Sequence, residues 1–292
     1  MIDALLGRCR FPAAGTAVTC AVSGGPDSMA LLVLACAARC EVTAVHVDHG
    51  LRQGSAREAD VVARAAARFG ARFRAARARV APGPDLEARA RAARYAVLPA
   101  DVLTGHTADD QAETVLLNLV RGAGLDGLRG MRVERRPLLA LRRHETAALC
   151  DALAVDVVHD PMNADRAFRR NRVRHELLPL LDAIAARDVV PILTRQAALL
   201  RDDADLLDAL AAALDPTDAR ALAAAPFALA RRAVRRWLRV TSDAECHPPD
   251  AATVERVLAV ARGAQRATDV GGGRSVTRSR GRLTIEGTVT SA

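Results

Sequence analysis

Ser23-Gly24-Gly25-Pro26-Asp27-Ser28 lies between two apolar runs, Val18 to Val22 and Met29 to Ala38. The three pieces read as strand, tight loop and helix. Two adjacent glycines let the backbone curl until several N–H groups face one anion, and the helix that follows adds its positive end. The loop is therefore a candidate phosphate cradle, the alternative being a plain glycine turn. It lacks the lysine of a Walker loop. The chain in fact contains no lysine, so all 42 of its basic Lys+Arg residues are arginine. That excludes enzymes that form a Schiff base or adenylate their own lysine, and the ordinary Walker NTPase. A nucleotide bound here would be held by backbone amides, the helix end, arginines and a metal.

Outward from the loop, strand and helix alternate. Glu41–Val47 reads as a second strand. Ser55-Ala56-Arg57-Glu58 is a capping box opening a helix to about Phe69, which Gly70 ends. Ala71–Val80 is a weaker third strand, Asp85 to Leu98 a helix, Val102-Leu103-Thr104 a short strand and Ala112–Arg121 a helix. The pattern predicts an α/β fold with a doubly wound, mostly parallel sheet. In such folds ligands sit at the carboxyl ends of the strands. Three polar clusters fall there: Ser23–Ser28, His46–Arg52 and Gly105–Glu113.

The third cluster, Gly105-His106-Thr107-Ala108-Asp109-Asp110-Gln111-Ala112-Glu113, opens a helix. Asp110 and Glu113 are three apart and share a face. Two carboxylates so placed can hold Mg²⁺ or an ammonium group, or simply complement the helix dipole. At the end of the second strand, His46-Val47-Asp48-His49 points Asp48 and His49 toward the same edge of the sheet. Phe168-Arg169-Arg170-Asn171-Arg172-Val173-Arg174-His175 is densely basic. Arginine forks suit phosphate or carboxylate, and a solvated helix face is the other reading.

At 292 residues the chain has room for two domains. The boundary is expected near residue 185, with 1–185 an α/β domain and 186–292 a small, mainly helical domain. Helices are predicted at Pro191–Ala213, Pro226–Val240 and Ala251–Ala261, followed by a β-hairpin tail with strands Ser275–Arg278 and Arg282–Glu286. Apolar residues make up 50% and aromatics 2%, so the core is aliphatic. A net charge of +8 suits a polyanionic partner, and Arg231, Arg232, Arg235, Arg236 and Arg239 form a row on one helix. None of the six cysteines forms a CxxC pair or zinc spacing. Free thiols fit a reducing cytoplasm. No apolar run is long enough to span a membrane, and the N-terminal stretch, with Asp3, Arg8 and Arg10, does not read as a signal peptide.

Together SGGPDS, HVDHGLR, Arg91-x-x-Arg94-Tyr95, GHTADDQAET, Arg121 with GLDGLRGM, Arg136-Pro137-Leu138-Leu139, Asp160-x-x-Asn163, Arg170-Asn171-Arg172-x-Arg174 and Leu178-Pro179-x-Leu181 resemble the PP-loop (N-type) ATP pyrophosphatases. More narrowly, they resemble the tRNA(Ile)-lysidine synthetases. The loop alone points to the superfamily; its combination with GHTADDQAET and the late RNRVR segment points to the narrower family.

The resemblance implies a ligase that uses ATP with Mg²⁺. Its members adenylate the wobble cytidine of tRNA(Ile) carrying a CAU anticodon, then join free L-lysine to carbon 2 of the base, with pyrophosphate and AMP leaving. It further implies that Ser23, Gly24, Gly25, Pro26, Asp27 and Ser28 bind ATP together with Asp48, His49 and His106. Asp27 would hold the metal. Asp110, Glu113, Arg170 and Arg174 would bind the substrate, with Asp27, Asp110, Glu113 and Arg170 as the catalytic set. The partners implied are tRNA(Ile) and L-lysine, in the cytoplasm, with no membrane; the oligomeric state is open, a homodimer included. A PP-loop thiolase would need paired cysteines, and an amidating synthetase would need an ammonia source; neither is visible. A non-catalytic RNA binder would not need Asp27, Asp110 and Glu113.

Overall fold

The computed structural model describes residues 1–48, 55–79, 86–158, 165–240 and 249–287. His49, Arg52, Asp160, Asn163 and Cys246 lie outside these, so the expectation for His49 falls outside the described residues. The chain divides into two compact units, Met1–Ala198 and Leu199–Ala292.

In the first unit the elements run α1 (Ile2–Leu6), β1 (Ala17–Ala21), α2 (Pro26–Ala37), β2 (Glu41–Asp48), α3 (Ser55–Arg68), β3 (Arg72–Arg77), α4 (Leu86–Ala96), β4 (Leu103–Thr104), α5 (Ala108–Val120), α6 (Leu125–Leu128), α7 (Arg143–Ala152) and α8 (Arg169–Arg172). A π-helical turn, Val173–Leu177, then leads into α9 (Leu178–Ala185), and α10 (Val190–Ala212) follows. The four strands are parallel in the order β3-β2-β1-β4. The chain moves from β1 outward to β3, then returns to place β4 on the other side of β1. The switch point is therefore between β1 and β4, and the loops leaving their carboxyl ends flank a crevice, where open α/β sheets bind ligands.

Burial follows from composition. From Met29 to Ala35, α2 is apolar on every side and at most 2% exposed, as expected of a helix enclosed in a core. It packs with Cys20, Val22, Val42 and Ala44 of the sheet and with Leu149 and Cys150 of α7. The opposite sheet face, with Ala21, Val45, Val47 and Ala76, is covered by Tyr95, Leu98 and Val102. Both faces are thus closed, in agreement with the doubly wound reading. Two starts differ from the sequence reading. Helix α2 begins inside the Ser23–Ser28 loop, at Pro26, because proline's fixed φ and missing N–H suit a first helical position. Helix α5 begins at Ala108, not Ala112, because Thr107 and Asp110 form a reciprocal cap: Thr107 N donates to Asp110 Oδ2 at 2.8 Å.

The second unit contains the end of α10, then α11 (Ala219–Ala224), α12 (Phe227–Val240), α13 (Ala251–Arg262), β5 (Ala267–Gly271), β6 (Arg274–Ser279) and β7 (Arg282–Glu286). The expected hairpin is present, its turn made by Arg280 and Gly281 at φ +50° and +80°, as a tight hairpin requires. It belongs to a three-stranded antiparallel sheet, β5-β6-β7; the additional strand, Ala-Thr-Asp-Val-Gly, is too polar to stand out in the sequence. Leu222, Val234, Leu238, Leu258, Val276 and Leu283 form the core, with Trp237 packed against it. The arginine row of α12 is partly engaged within the unit. Arg231 pairs with Glu255, Arg232 with Asp208, and Arg236 donates to the carbonyl of Ala211. Among the described residues, no helix is long and apolar enough to cross a membrane.

Candidate active site

The loop after β1 is closed by its own last residue. Ser28 Oγ accepts from the amides of Ser23 (3.1 Å) and Gly24 (3.2 Å) and donates to the carbonyl of Gly25 (2.9 Å). Those two amides are turned inward, and Pro26 has no N–H. Anion-binding capacity therefore concentrates at the first turn of α2, where helical N–H groups have no intrahelical partner, around Asp27 and Ser28. Gly24 sits at φ +95°, and a Cβ there would lie 2.7 Å from Val158 Cγ2. The loop after β4 packs directly on this one. A Cβ on Gly105 would lie 2.6 Å from the carbonyl oxygen of Asp27 and 2.8 Å from its carbon. That contact brings Asp27 and Asp110 into one site.

Glu113 is fully buried and Asp110 is 8% exposed. Their carboxylates are gripped by three arginines. Arg143 donates to Asp110 Oδ1 at 3.0 Å and, through two nitrogens, to Glu113 Oε1 at 3.1 Å. Arg170 reaches Glu113 Oε2 at 2.7 Å and Asp110 Oδ1 at 2.9 Å. Arg174 straddles the Glu113 carboxylate at 2.7 and 3.3 Å. Arg170 comes from α8 and Arg174 from the π-helical turn, an irregularity often found at functional sites. Arg143 also approaches Asp27 Oδ2 at 3.5 Å, and Thr146 donates its hydroxyl to Asp27 Oδ1. Three carboxylates thus face three guanidiniums. The arginine side chains and Asp27 are each about a quarter exposed, whereas Glu113 lies behind them. An incoming ligand meets guanidinium and Asp27 first.

The acids titrate apart. Burial pushes the Asp27 carboxyl up, reinforced by the charge of Asp110; Thr146 and Arg143 offset this only in part. For Asp110, burial alone would also raise the pKa, but Arg143, Arg170, His106 and the Thr107 amide outweigh it and bring it to about 2. Neighbouring carboxyls pushed in opposite directions are a mark of functional sites. Among the described residues, no group of three or more His, Cys, Asp or Glu is placed to hold a metal ion. Asp27 retains acceptor capacity beyond Thr146 and the longer Arg143 contact. The donor set thus suits a Mg²⁺ bound by one carboxylate, phosphates and water, a common arrangement for that ion.

Ser23–Ser28, Asp110, Glu113, Arg170 and Arg174 converge. His106 follows β4, its Nδ1 2.7 Å from the hydroxyl of Thr104. Asp48 ends β2 and lies 4.0 Å from Arg77 of β3. The sequence reading missed Arg143 and Thr146, along with Arg142, which holds Asp109 at 3.0 and 3.1 Å. The helix start here gives little local signal: the Arg142 amide donates to Glu145 Oε2 at 2.8 Å, but Arg-x-x-Glu lacks the side-chain acceptor of a capping box.

Comparison with known proteins gives the family. Residues 4–181 match the family model described as a PP-loop domain, and residues 218–284 match the TilS substrate binding domain. A tRNA(Ile)-lysidine synthase of Nocardia farcinica is 43% identical, over 94% of this chain and 93% of that protein. The chain belongs to the tRNA(Ile)-lysidine synthase family. The synthase of Mycobacterium leprae is 44% identical over 75% of this chain and 73% of its own length. Among solved structures, a U34-tRNA thiolase of Methanococcus maripaludis with its [4Fe-4S] cluster has a TM-score of 0.55 at 14% identity, covering 68% of this chain and 78% of that one. At that identity the likeness is one of fold alone. Burial raises the thiols of Cys9, Cys36 and Cys150 to about 11, the reverse of what cysteine chemistry needs.

Proposed function

We propose that this chain joins L-lysine to carbon 2 of the wobble cytidine of tRNA(Ile) with a CAU anticodon, using ATP. The base is first adenylated with release of pyrophosphate; the lysine ε-amine then displaces AMP. The observation that carries the reading is the convergence of the Ser23–Ser28 loop and its Asp27 with the Asp110–Glu113–arginine cluster, in a member of this family. In this reading residues 1–185 are the catalytic domain, residues 186–292 a tRNA-binding domain, and the reaction is cytoplasmic. Asp48, His49 and His106 line the nucleotide pocket.

The chain's own residues account for much of the chemistry. The first turn of α2 faces the phosphates. Asp27 holds Mg²⁺, which when bound offsets charge on the departing pyrophosphate. The exposed edges of Arg170 and Arg174 offer a fork for the lysine carboxylate. Asp110 and Glu113 supply negative charge for its ammonium group. Because their oxygens are already held by guanidinium, lysine enters by exchanging one cation for another, which leaves the charge of the cluster unchanged. An amine with an ordinary pKa near 10.4 must lose a proton before it attacks, and Asp110 and Glu113 are the carboxylates beside it that prepare that loss.

The test uses purified protein, ATP, Mg²⁺, labelled L-lysine and two tRNA(Ile) transcripts with CAU and GAU anticodons. Label in the CAU transcript only, lost in Asp27→Ala, is the expected result. Adenylated tRNA without lysine would change the acceptor, and tight tRNA binding with neither activity would overturn the enzymatic reading.

A further inference from the structure

A cavity in the first unit, of about 250 Å³, is lined by Tyr95, Val102, Thr104, Arg135 and Arg136. Its volume is below the range of about 300–1,000 Å³ typical of sites for whole drug-sized ligands. A volume of that size accommodates a single ring system. Its chemistry is specific. Tyr95 is the only tyrosine of a chain with 2% aromatic residues, and it is half-buried beside Val102, which is 1% exposed. Arg135 is exposed at the rim, where its guanidinium is held by the main-chain carbonyl of Ala100. Arg136 is fixed by the carbonyl of Arg132 at 3.1 Å.

A tyrosine beside a buried valine, with a hydroxyl and two guanidiniums in the same lining, is a combination that suits an unstacked base and its phosphate from single-stranded nucleic acid. The cavity is also tied to the catalytic crevice. Thr104, in its wall, is hydrogen-bonded to His106 at 2.7 Å. The next residue, Gly105, is in contact with Asp27.

We propose that this cavity seats a nucleotide of the substrate RNA next to the target base, its ring on Tyr95 and its phosphate on Arg135 and Arg136. The proposal rests on the tRNA reading given above. Holding a neighbouring nucleotide here splays the strand, so that the target base alone enters the crevice between β1 and β4.

The experiment measures binding of a CAU anticodon stem-loop RNA, KM for that RNA, and binding of a non-hydrolysable ATP analogue, with the full-length protein. Tyr95→Leu is expected to weaken RNA binding about ten-fold, in line with the loss of one aromatic–base stack, and to raise KM for RNA with ATP-analogue affinity unchanged. Tyr95→Phe keeps the ring and is expected to bind within about two-fold of wild type, since stacking needs only the π-face. Arg135→Gln, a surface change, is expected to reduce the log–log salt dependence of RNA binding by about one unit. Wild-type RNA affinity and salt dependence in folded Tyr95→Leu and Arg135→Gln proteins would overturn the proposal while leaving the tRNA reading intact. Weakened ATP-analogue binding with unchanged RNA binding would reassign the cavity to the nucleotide. Failure of the wild-type protein to bind the stem-loop at all would instead overturn the tRNA reading, and this inference with it.

Discussion

Replacing Arg143 with methionine keeps most of the aliphatic stem and removes the one cation that touches all three acids of the cluster. Two hydrogen bonds of 3.1 Å to Glu113 and one of 3.0 Å to Asp110 disappear, together with the 3.5 Å approach to Asp27. Asp110 keeps Arg170 and the Thr107 amide, and Glu113 keeps Arg170 and Arg174. The neutral cluster is left with an excess negative charge around a fully buried glutamate. Removing one partner of a buried ion pair costs about 3–5 kcal/mol; the surviving arginines place Arg143→Met near the lower figure. For a unit of this size, about 3 kcal/mol corresponds to a fall of about 6–12 °C in the calorimetric midpoint. The partner variant Glu113→Gln leaves an excess positive charge and is expected to be destabilising too. The double variant restores neutrality, so its loss falls short of the sum by about 1 kcal/mol or more, as expected for residues in direct contact. A midpoint for Arg143→Met within about 2 °C of wild type, or strict additivity in the double variant, would refute the view that the cluster is held by charge balance (both thresholds being about the smallest resolvable effects of a real pair).

Asp110, at about 2 in the folded state, lies below the ordinary carboxylate value of 3.8. Its stabilisation is complete above that ordinary value and is lost as pH falls toward 2; the Asp110→Asn variant is expected to show a shallower decline of the thermal midpoint over that window. Asp27 has the opposite sign, because its raised pKa means that ionisation works against folding at neutral pH. Asp27→Asn leaves one excess positive charge but removes a carboxylate whose ionisation burial disfavours, so it is expected to lower the midpoint at pH 7 less than Glu113→Gln does while abolishing tRNA-dependent pyrophosphate release; a loss as large as that of Glu113→Gln would contradict the assignment. Gly105→Ala is expected to push the β4 loop off Asp27 and to lower kcat by about 100-fold, the scale of effect of an ångström-sized misplacement, as measured by pyrophosphate release. Gln111→Leu loses paired bonds to Met131, at 2.7 and 3.1 Å, and is expected to cost about 2 kcal/mol by leaving main-chain groups unsatisfied, read by urea unfolding.

The fold was legible wherever apolar runs met glycine. β1, the Ser23–Ser28 loop and α2 stand out because the helix is apolar on all sides and so cannot be a surface element. The site was legible where its residues are neighbours in sequence, as with Asp110 and Glu113, or Arg170 and Arg174. Arg143 was not. It lies 30 residues from Glu113 and opens its helix with Arg-Arg-His-Glu-Thr, a polar string with no apolar period. Only the packing of α7 on α2 brings it to Asp27. Nor does sequence periodicity show that the amides of Ser23 and Gly24 turn inward, since that depends on the rotamer of Ser28. The row on α12 reads as unengaged charge until Glu255 and Asp208 are placed beside Arg231 and Arg232.

Gly105 gives the site a fixed gauge. The loop that leads from β4 into α5 touches the first turn of α2 through main-chain atoms, with no room for even one more carbon. The spacing between the start of α2, with Asp27, and the loop that opens α5, with Asp110, is therefore set by van der Waals radii and not by any rotamer. It does not stretch with pH, salt or the identity of neighbouring side chains. The arginine-bearing segments opposite, α7, α8 and the π-helical turn, meet Asp110 and Glu113 through side chains, whose reach depends on rotamer, whereas the gauge between Asp27 and Asp110 does not.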